Sequence, residues 1–386
     1  MNQSSSFAAY AGRLLDFIRR CSLPGNLRPD RTNSPVVQAD TDEEFNQLAL
    51  ELFHLQNQHV EPYRRFCQSR AVTPSNVVHW TAIPSVPASA FKHFELTSLA
   101  SSERTHVFQS SGTTEQRPSR NFHDAASLEV YEASLKPWFA EHLLENHDDP
   151  LQMIFLTPPP EQAPNSSLVH MFQAVRTTFG GPGSYFAGST DADHAWTVDA
   201  TRVFASLHDA TLAARPVILL GTAFSFVHLL DEFAAQNLRL KLPAGSRVME
   251  TGGYKGRSRQ LPKTELHAMI KQHLDVSLSH IICEYGMSEL GSQAYAGKIS
   301  RKGINAHNAF PGFEFPAWAR AVVVSPETDR PVALGEQGLI RVLDLANVRS
   351  VLAIQTEDLA IRREPGFELL GRISLSEPRG CSLMAS

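Results

Sequence analysis

The sequence predicts an α/β fold with a mostly parallel sheet covered by helices and a β-rich C-terminal portion. Two observations carry this. Between residues 101 and 300, short apolar runs at 153–156, 217–220, 247–249 and 280–283 alternate with helix-like stretches at 168–179, 223–236 and 263–273. Strands that alternate with helices pair in parallel, because each crossover helix returns the chain to the same end of the sheet. From Ala319 the pattern changes to Ala321-Val322-Val323-Val324, a turn over 325–329, and a second apolar run over 338–345, which predicts antiparallel strands closing the C-terminal part.

Taken in order, the first hundred residues read as a helical cap. Thr41-Asp42-Glu43-Glu44 supplies a capping box, and Phe45, Leu48, Leu52 and Leu55 follow at helical spacing. Pro74, Pro84 and Pro87 punctuate the next segment, which predicts extended loop. The helix over 263–273 is entered through Pro262, whose fixed φ suits a first turn. The resulting division is a cap over 1–100, a core over 101–375, and a mobile tail over 376–386.

Composition narrows the function classes. With 386 residues and 42% hydrophobic content the chain can bury a large core. A net charge of -5 gives no general electrostatic reason to bind nucleic acid or an anionic membrane surface. No apolar run reaches the roughly 18 residues of a membrane span, and the first residues lack a charged leader before an apolar stretch, so a cytoplasmic protein is expected. Cys21, Cys67, Cys283 and Cys381 form no CxxC pair, which suggests neither a zinc site nor a disulfide framework. The first three read as reduced structural thiols.

Four segments could carry chemistry. In Gln109-Ser110-Ser111-Gly112-Thr113-Thr114, small hydroxyl residues around a glycine leave backbone N–H groups and side-chain donors free for phosphate oxygens. Taken alone, such a loop is an ordinary surface turn, and no Gly-Lys-Ser/Thr follows to make it a Walker loop. Glu284-Tyr285-Gly286-Met287-Ser288-Glu289 follows an apolar strand, at the end where open α/β sheets bind ligands. There Glu289 could hold the Mg²⁺ that accompanies ATP, and Ser288 could donate to a phosphate. Glu250-Thr251-Gly252-Gly253 runs from a strand into paired glycines, which permit close approach of a flat base such as adenine, and Lys255, Arg257 and Arg259 follow it. In Gln355-Thr356-Glu357-Asp358, Asp358 could accept both ribose hydroxyls or be a structural acid.

The order of these segments resembles the adenylate-forming superfamily of acyl-CoA synthetases, luciferases and peptide-synthetase adenylation domains. In that superfamily a Ser/Thr/Gly phosphate loop precedes an adenine-contacting glycine turn, then Tyr-Gly-x-Thr-Glu, Thr-Gly-Asp and Gly-Arg. Here the counterparts are Ser110 to Thr114, Glu250 to Gly253, Tyr285 to Glu289, Thr356 to Asp358, and Gly371-Arg372. The resemblance implies the large-domain fold of these enzymes over 101–375. It departs in three places: Glu115 stands at a usual glycine, Glu357 replaces the middle glycine of Thr-Gly-Asp, and the sequence given stops fourteen residues after Arg372, without the C-terminal lid domain and its lysine.

Those departures are similar to the LuxE-type acyl-protein synthetases. The blocks that carry this likeness are Ser-Ser-Gly-Thr-Thr with Arg117-Pro118-Ser119-Arg120, Glu-Thr-Gly-Gly-Tyr-Lys-Gly-Arg, Glu-Tyr-Gly-Met-Ser-Glu-Leu, Thr-Glu-Asp-Leu, and a terminal Arg-Gly-Cys-Ser-Leu-Met. The resemblance implies ATP-dependent activation of a fatty or other carboxylic acid to acyl-AMP, with Glu289 on Mg²⁺ and Asp358 and Arg372 on the ribose. It further implies transfer of the acyl group to Cys381 and delivery to a partner acyl reductase. Lys255, Arg257 and Arg117 are candidates for the cation that replaces the lid lysine, by charge alone. His170 and Phe172 would line an acyl pocket or pack in the core. Two alternatives stay open: an acid:CoA or acid:carrier-protein ligase in which Cys381 is incidental, and a non-catalytic nucleotide-binding scaffold.

Overall fold

The computed structural model describes residues 3–22, 35–110, 117–144, 149–192, 195–252, 261–297 and 312–372. Among these residues the helices are α1 (Gln3–Cys21), α2 (Pro35–His59), α3 (Glu61–Gln68), α4 (Ala90–His93), α5 (Ala125–Leu143), α6 (Ser167–Phe179), α7 (Ala200–Leu212), α8 (Ala223–Ala235) and α9 (Lys263–Leu274). The strands are β1 (Val86–Pro87), β2 (His106–Gln109), β3 (Arg120–His123), β4 (Gln152–Phe155), β5 (Tyr185–Phe186), β6 (Gly188–Thr190), β7 (Trp196–Val198), β8 (Val217–Thr222), β9 (Arg247–Thr251), β10 (Ile281–Tyr285), β11 (Ala294–Ala296), β12 (Ala319–Val324), β13 (Gln337–Asp344), β14 (Ala353–Arg362) and β15 (Phe367–Arg372).

A six-stranded sheet runs in the order β11-β10-β9-β8-β4-β5 and is parallel except where β11 returns along β10. Its central strand β8 is buried at every residue, which explains why Val217 to Leu220 reads as a continuous apolar run rather than an alternation. Helices α8 and α9 pack against one another, and their Phe226, Leu230, Leu266 and Ile270 share a cluster with Leu219 and Val248 from the sheet. The second sheet has the order β1-β14-β13-β12, with β15 also on β14, and is antiparallel apart from β1. The α/β class with a β-rich C-terminal portion is thus as the sequence predicts.

The N-terminal helices are tied to this second sheet. Phe7, Tyr10, Leu14, Phe17 and Ile18 of α1 are buried, and so are Phe45, Leu48, Leu52 and Phe53 of α2, in one cluster with Val342, Leu345 and Leu352. The Tyr10 hydroxyl donates to the carbonyl of Leu345 at 3.3 Å. Helix α2 begins six residues before the expected capping box: Pro35 supplies a first turn with its φ already set, so Thr41 lies inside the helix. The proline-punctuated segment contains one short 3₁₀ turn, Trp80–Ala82, and then β1, which pairs with Ile354 and Gln355. Helix α5 begins with a reciprocal cap in which Asp124 Oδ1 accepts from the Ser127 N–H at 2.8 Å and Ser127 Oγ lies 3.0 Å from the Asp124 N–H.

Candidate active site

The site forms where β9 and β10 end and the second sheet meets them. These strands are parallel and in register at Glu284 and Thr251, so Gly252 leaves the sheet level with Tyr285, one residue before Gly286. One residue back, the Tyr285 ring is buried among Phe313, Phe315 and Phe367, at centroid distances of 6.0, 6.2 and 5.4 Å. Its hydroxyl donates to Asp358 Oδ2 at 2.8 Å. The second carboxylate oxygen of Asp358 accepts from Arg372 Nε at 3.1 Å, because the β14–β15 register sets the two residues opposite each other. Burial, and then the Asp358 carboxylate, push the Tyr285 hydroxyl well above its ordinary pKa, so it remains a donor. Burial opposes the charge on Arg372, but the Asp358 carboxylate outweighs it and holds the guanidinium more firmly protonated.

A chain of hydroxyls leads to Glu289. Ser288 Oγ donates to Glu289 Oε2 at 3.0 Å, which leaves Ser119 Oγ, 3.2 Å away, to donate to Ser288. Ser110 Oγ accepts from the Ser119 N–H at 3.0 Å, so both ends of the 110–119 connection are pinned beside this chain. The strands on either side, β2 and β3, are an antiparallel pair that brings the two ends together. Asn121, also on β3, donates from Nδ2 to the Ser288 carbonyl at 3.1 Å. From the other side, Asp344 accepts from the N–H groups of Gly291 and Ser292 at 2.8 and 2.7 Å and from Ser292 Oγ at 2.7 Å. Complete burial pushes the Asp344 carboxyl up to about 6 in spite of these bonds, so at neutral pH it holds the segment as a carboxylate.

Two further acids lie beneath. Glu284 is fully enclosed near Tyr131 and Tyr295, and burial pushes its carboxyl up to about 7, with only the Thr251 hydroxyl pulling it down. On the opposite face of the sheet, Glu250 Oε1 lies 3.4 Å from His267 Nε2 and 3.7 Å from Lys263 Nζ, and Cys283 Sγ lies 3.8 Å from the same His267 nitrogen. Glu250, His267 and Cys283 offer three ligand types within 4.8 Å of one another, but the Lys263 ammonium already brings positive charge to that corner. Burial pushes Glu250 up, and His267 and Lys263 together outweigh it, so the acid is held ionised. Lys263 also stands over the Phe313 ring at 4.8 Å, which joins this cluster to the aromatic wall around Tyr285.

The structure therefore brings together Ser110, Ser288 and Glu289 in one corner, and Tyr285, Asp358 and Arg372 in another. Ser111, Gly112, Thr113, Thr114, Gly253, Lys255, Arg257, Arg259 and Cys381 lie outside the described residues, as does the tail over 376–386. A Cβ built on Gly252 would meet nothing within 4 Å among the described residues, as close approach of a flat ligand requires. A Cβ on Gly286 would run into Glu284 Oε1, the far end of a side chain that would have to shift to admit it. Arg117 is exposed. Phe172 is core, and His170 packs against Phe108 and Tyr131 with its Nε2 3.3 Å from Glu132.

Sequence reasoning quoted Ser119 within a motif without giving it a role, and passed over Asn121, Asp344 and Asn347. Asp344 carries a signal that could have found it, since it is the acid in an otherwise apolar run, Val342-Leu343-Asp344-Leu345-Ala346. An acid buried in such a run needs donors, and only the fold shows which ones.

This arrangement of sheets defines an adenylate-forming ligase fold. A crystal structure of 2-hydroxyisobutyryl-CoA ligase in complex with 2-HIB-AMP superposes with a TM-score of 0.61 over 86% of this chain and 68% of the ligase, at 13% identity. An open conformation of that ligase, with 2-HIB-AMP and CoA, gives 0.58 over 86% and 75%, at 14% identity. Within that class the chain belongs to the family described as acyl-protein synthetase, LuxE, whose model matches residues 34–386. The long-chain-fatty-acid–luciferin-component ligase of Aliivibrio fischeri is 24% identical over 358 residues, covering 88% of this chain and 86% of the relative. Its namesake from Vibrio harveyi is 23% identical over 344 residues, covering 86% and 84%. Among the described residues no helix is long and apolar enough to cross a membrane.

Proposed function

We propose that the chain uses ATP to activate a long-chain fatty acid as its acyl-adenylate, takes the acyl group onto Cys381, and passes it to a partner acyl reductase. The observation that carries this is that Tyr285, in the same Tyr-Gly-Met-Ser-Glu motif as Ser288 and Glu289, bonds to Asp358 73 positions away, where Arg372 meets the same carboxylate. Membership of the acyl-protein synthetase family supports the acyl chemistry. The names of the two relatives support a long-chain fatty acid.

Asp358, its charge balanced by Arg372 and its orientation set by Tyr285, is the acceptor for the ribose hydroxyls. The open position at Gly252 admits the adenine. Ser110, whose hydroxyl hydrogen is free, donates to a phosphate oxygen together with the Ser111–Thr114 loop, and Ser288 does so once its hydrogen turns away from Glu289. Glu289, buried and with Ser288 the one side chain that donates to it among the described residues, fits a magnesium ligand. Magnesium bound there supplies charge neutralisation on the phosphates. Fixing the ribose and phosphates lets one oxygen of the substrate carboxylate reach the α-phosphorus in line with the departing pyrophosphate, so that the reaction becomes effectively intramolecular. That oxygen bonds to phosphorus as the bond to pyrophosphate breaks. The Cys381 thiol then loses its proton and attacks the acyl carbon, the bond to AMP breaks, and a thioester remains. Arg379, two positions earlier in the sequence, would favour the thiolate.

The test incubates the protein with Mg-ATP and radiolabelled fatty acids of graded length, alongside Cys381→Ser. The expected result is hydroxylamine-sensitive label on the wild-type chain and none on the variant, with acid-dependent pyrophosphate exchange in both. Label that persists on the variant, or acid-dependent CoA thioester formed without it, would move the acceptor elsewhere. Absence of exchange with every acid would overturn the adenylation itself.

A further inference from the structure

We infer that Gln56, on the second N-terminal helix, is a positioning residue for the Glu289 carboxylate and acts through Asn347, which makes the helical cap part of the catalytic apparatus. The inference rests on the reading of Glu289 as the magnesium carboxylate.

The chain of contacts is short and wholly internal. Gln56, Asn347 and Glu289 are 0, 3 and 6% exposed. Asn347 Nδ2 donates to the backbone carbonyl of Glu289 at 3.0 Å and to the carbonyl of Val351 at 3.0 Å. Since both neighbours are acceptors, the amide must present its nitrogen to them, and its Oδ1 has no hydrogen-bond partner among the described residues. That orientation is therefore fixed by the groups it serves. Gln56 Nε2 in turn donates to the Asn347 carbonyl at 2.7 Å, while Gln56 Oε1 accepts from the Leu352 N–H at 2.9 Å. One glutamine thus grips both ends of the 347–352 turn, and the asparagine on that turn grips the backbone of the metal-binding residue.

A buried amide at this place is costly unless it satisfies groups that nothing else reaches. Gln56 continues the apolar stripe of α2, on the face of Phe45, Leu48 and Leu52, where a leucine would pack as well and need no partner. Its polar atoms are accounted for entirely by the turn that carries Asn347. The two other clamps on this segment act at its neighbours: Asn121 holds the Ser288 carbonyl, and Asp344 holds the Gly291 and Ser292 N–H groups. Of the clamps described, Asn347 alone holds Glu289's own backbone. Displacing a catalytic carboxylate by a fraction of an ångström weakens metal binding before it disturbs the acyl pocket, so the effect is on magnesium and not on the acid.

The experiment follows acid-dependent ATP–pyrophosphate exchange in the full chain as magnesium is titrated at fixed ATP. The variants are Gln56→Met, Asn347→Leu and Glu289→Gln, with urea midpoints recorded for each. Gln56→Met and Asn347→Leu are expected to raise the magnesium half-saturation at least tenfold, with the KM for the fatty acid within twofold of wild type. Where Gln56→Met does not fold, Gln56→Ala leaves room for water to satisfy both backbone groups and carries the same test. Loss of activity that only tracks the folded fraction, with an unchanged magnesium half-saturation, would overturn the inference. If Glu289→Gln leaves the magnesium dependence intact while the other two shift it, the strut stands and the assignment of the metal to Glu289 falls.

Discussion

Glu284 is the residue whose titration stability should report most directly. Its carboxyl goes from an ordinary 4.5 in the unfolded chain to about 7 in the fold, because burial disfavours the charged form. The folded state then binds this proton more tightly than the unfolded state does. The stabilisation is complete below pH 4.5 and is lost as the pH rises through 7, a change of about 3 kcal/mol at most. His123 acts on the other side: burial, and then the charge of His170, press it down to about 3, so its contribution is present above pH 6.5 and is lost as the pH falls toward 3. Glu284→Gln keeps an acceptor for Thr251 and removes the titration, so urea midpoints measured from pH 5 to 8 should lose most of their alkaline decline. An undiminished decline would mean that another group carries it. Asp358→Asn tests the ribose acceptor at the same scale. It discards a charge-assisted bond worth about 1.5–3 kcal/mol, so the KM for ATP in pyrophosphate exchange should rise by roughly ten- to a hundredfold while the KM for the acid stays nearly constant. Tyr285→Phe, which removes only the donor to Asp358, should cost tenfold at most on the same assay.

At the scale of elements, the start of α5 does two jobs. Asp124 caps the helix with one carboxylate oxygen and meets Arg349 Nη2 at 2.8 Å with the other, and Arg349 also lies over the Phe7 ring at 4.7 Å. This one acid links α5, the segment after β13 and α1. Asp124→Ala removes the cap and strands a buried guanidinium, so it should cost about 3–5 kcal/mol of unfolding free energy in urea titration. A loss near 1 kcal/mol would show that the cap alone matters. The elements most legible in the sequence were those with a single buried face or a continuous apolar run: β4, β8, β9 and β10, and helices α6, α8 and α9, fall within two residues of the boundaries that periodicity predicts. Helix α5 gave no such stripe, because Leu128, Val130, Tyr131, Leu135, Trp138 and Phe139 are buried around much of its circumference and Pro137, a residue that reads as a breaker, lies inside it. The site divides along the same line. Tyr285, Ser288, Glu289 and Asp358 sit in short local motifs and could be named from spacing, whereas the bonds from Asp344 to Ser292, Asn347 to Glu289 and Gln56 to Asn347 span 52, 58 and 291 positions, distances that no local pattern encodes.

For the whole molecule, the open question that sequence similarity raises is whether α1 belongs to the enzyme. The family match begins at residue 34, so α1 falls outside it. In the structure α1 packs against α2 and α5 and buries Phe7, Tyr10, Leu14, Phe17 and Ile18, none more than 3% exposed. Each such side chain returned to water costs roughly 1.5–3 kcal/mol, against a net stability for a typical protein of only about 5–15 kcal/mol. Removing the helix would also bare the faces of α2 and α5 that it covers, a patch large enough to promote association. A chain lacking residues 1–22 should therefore be aggregation-prone or unfold at least 10 °C below the full chain, and its pyrophosphate exchange should fall in step, since α2 carries Gln56. The informative measurement is thermal unfolding with size-exclusion chromatography on the truncated and full chains side by side. A monodisperse truncated protein with an unchanged unfolding temperature would show that α1 is an appendage and that α2 alone supports the turn bearing Asn347.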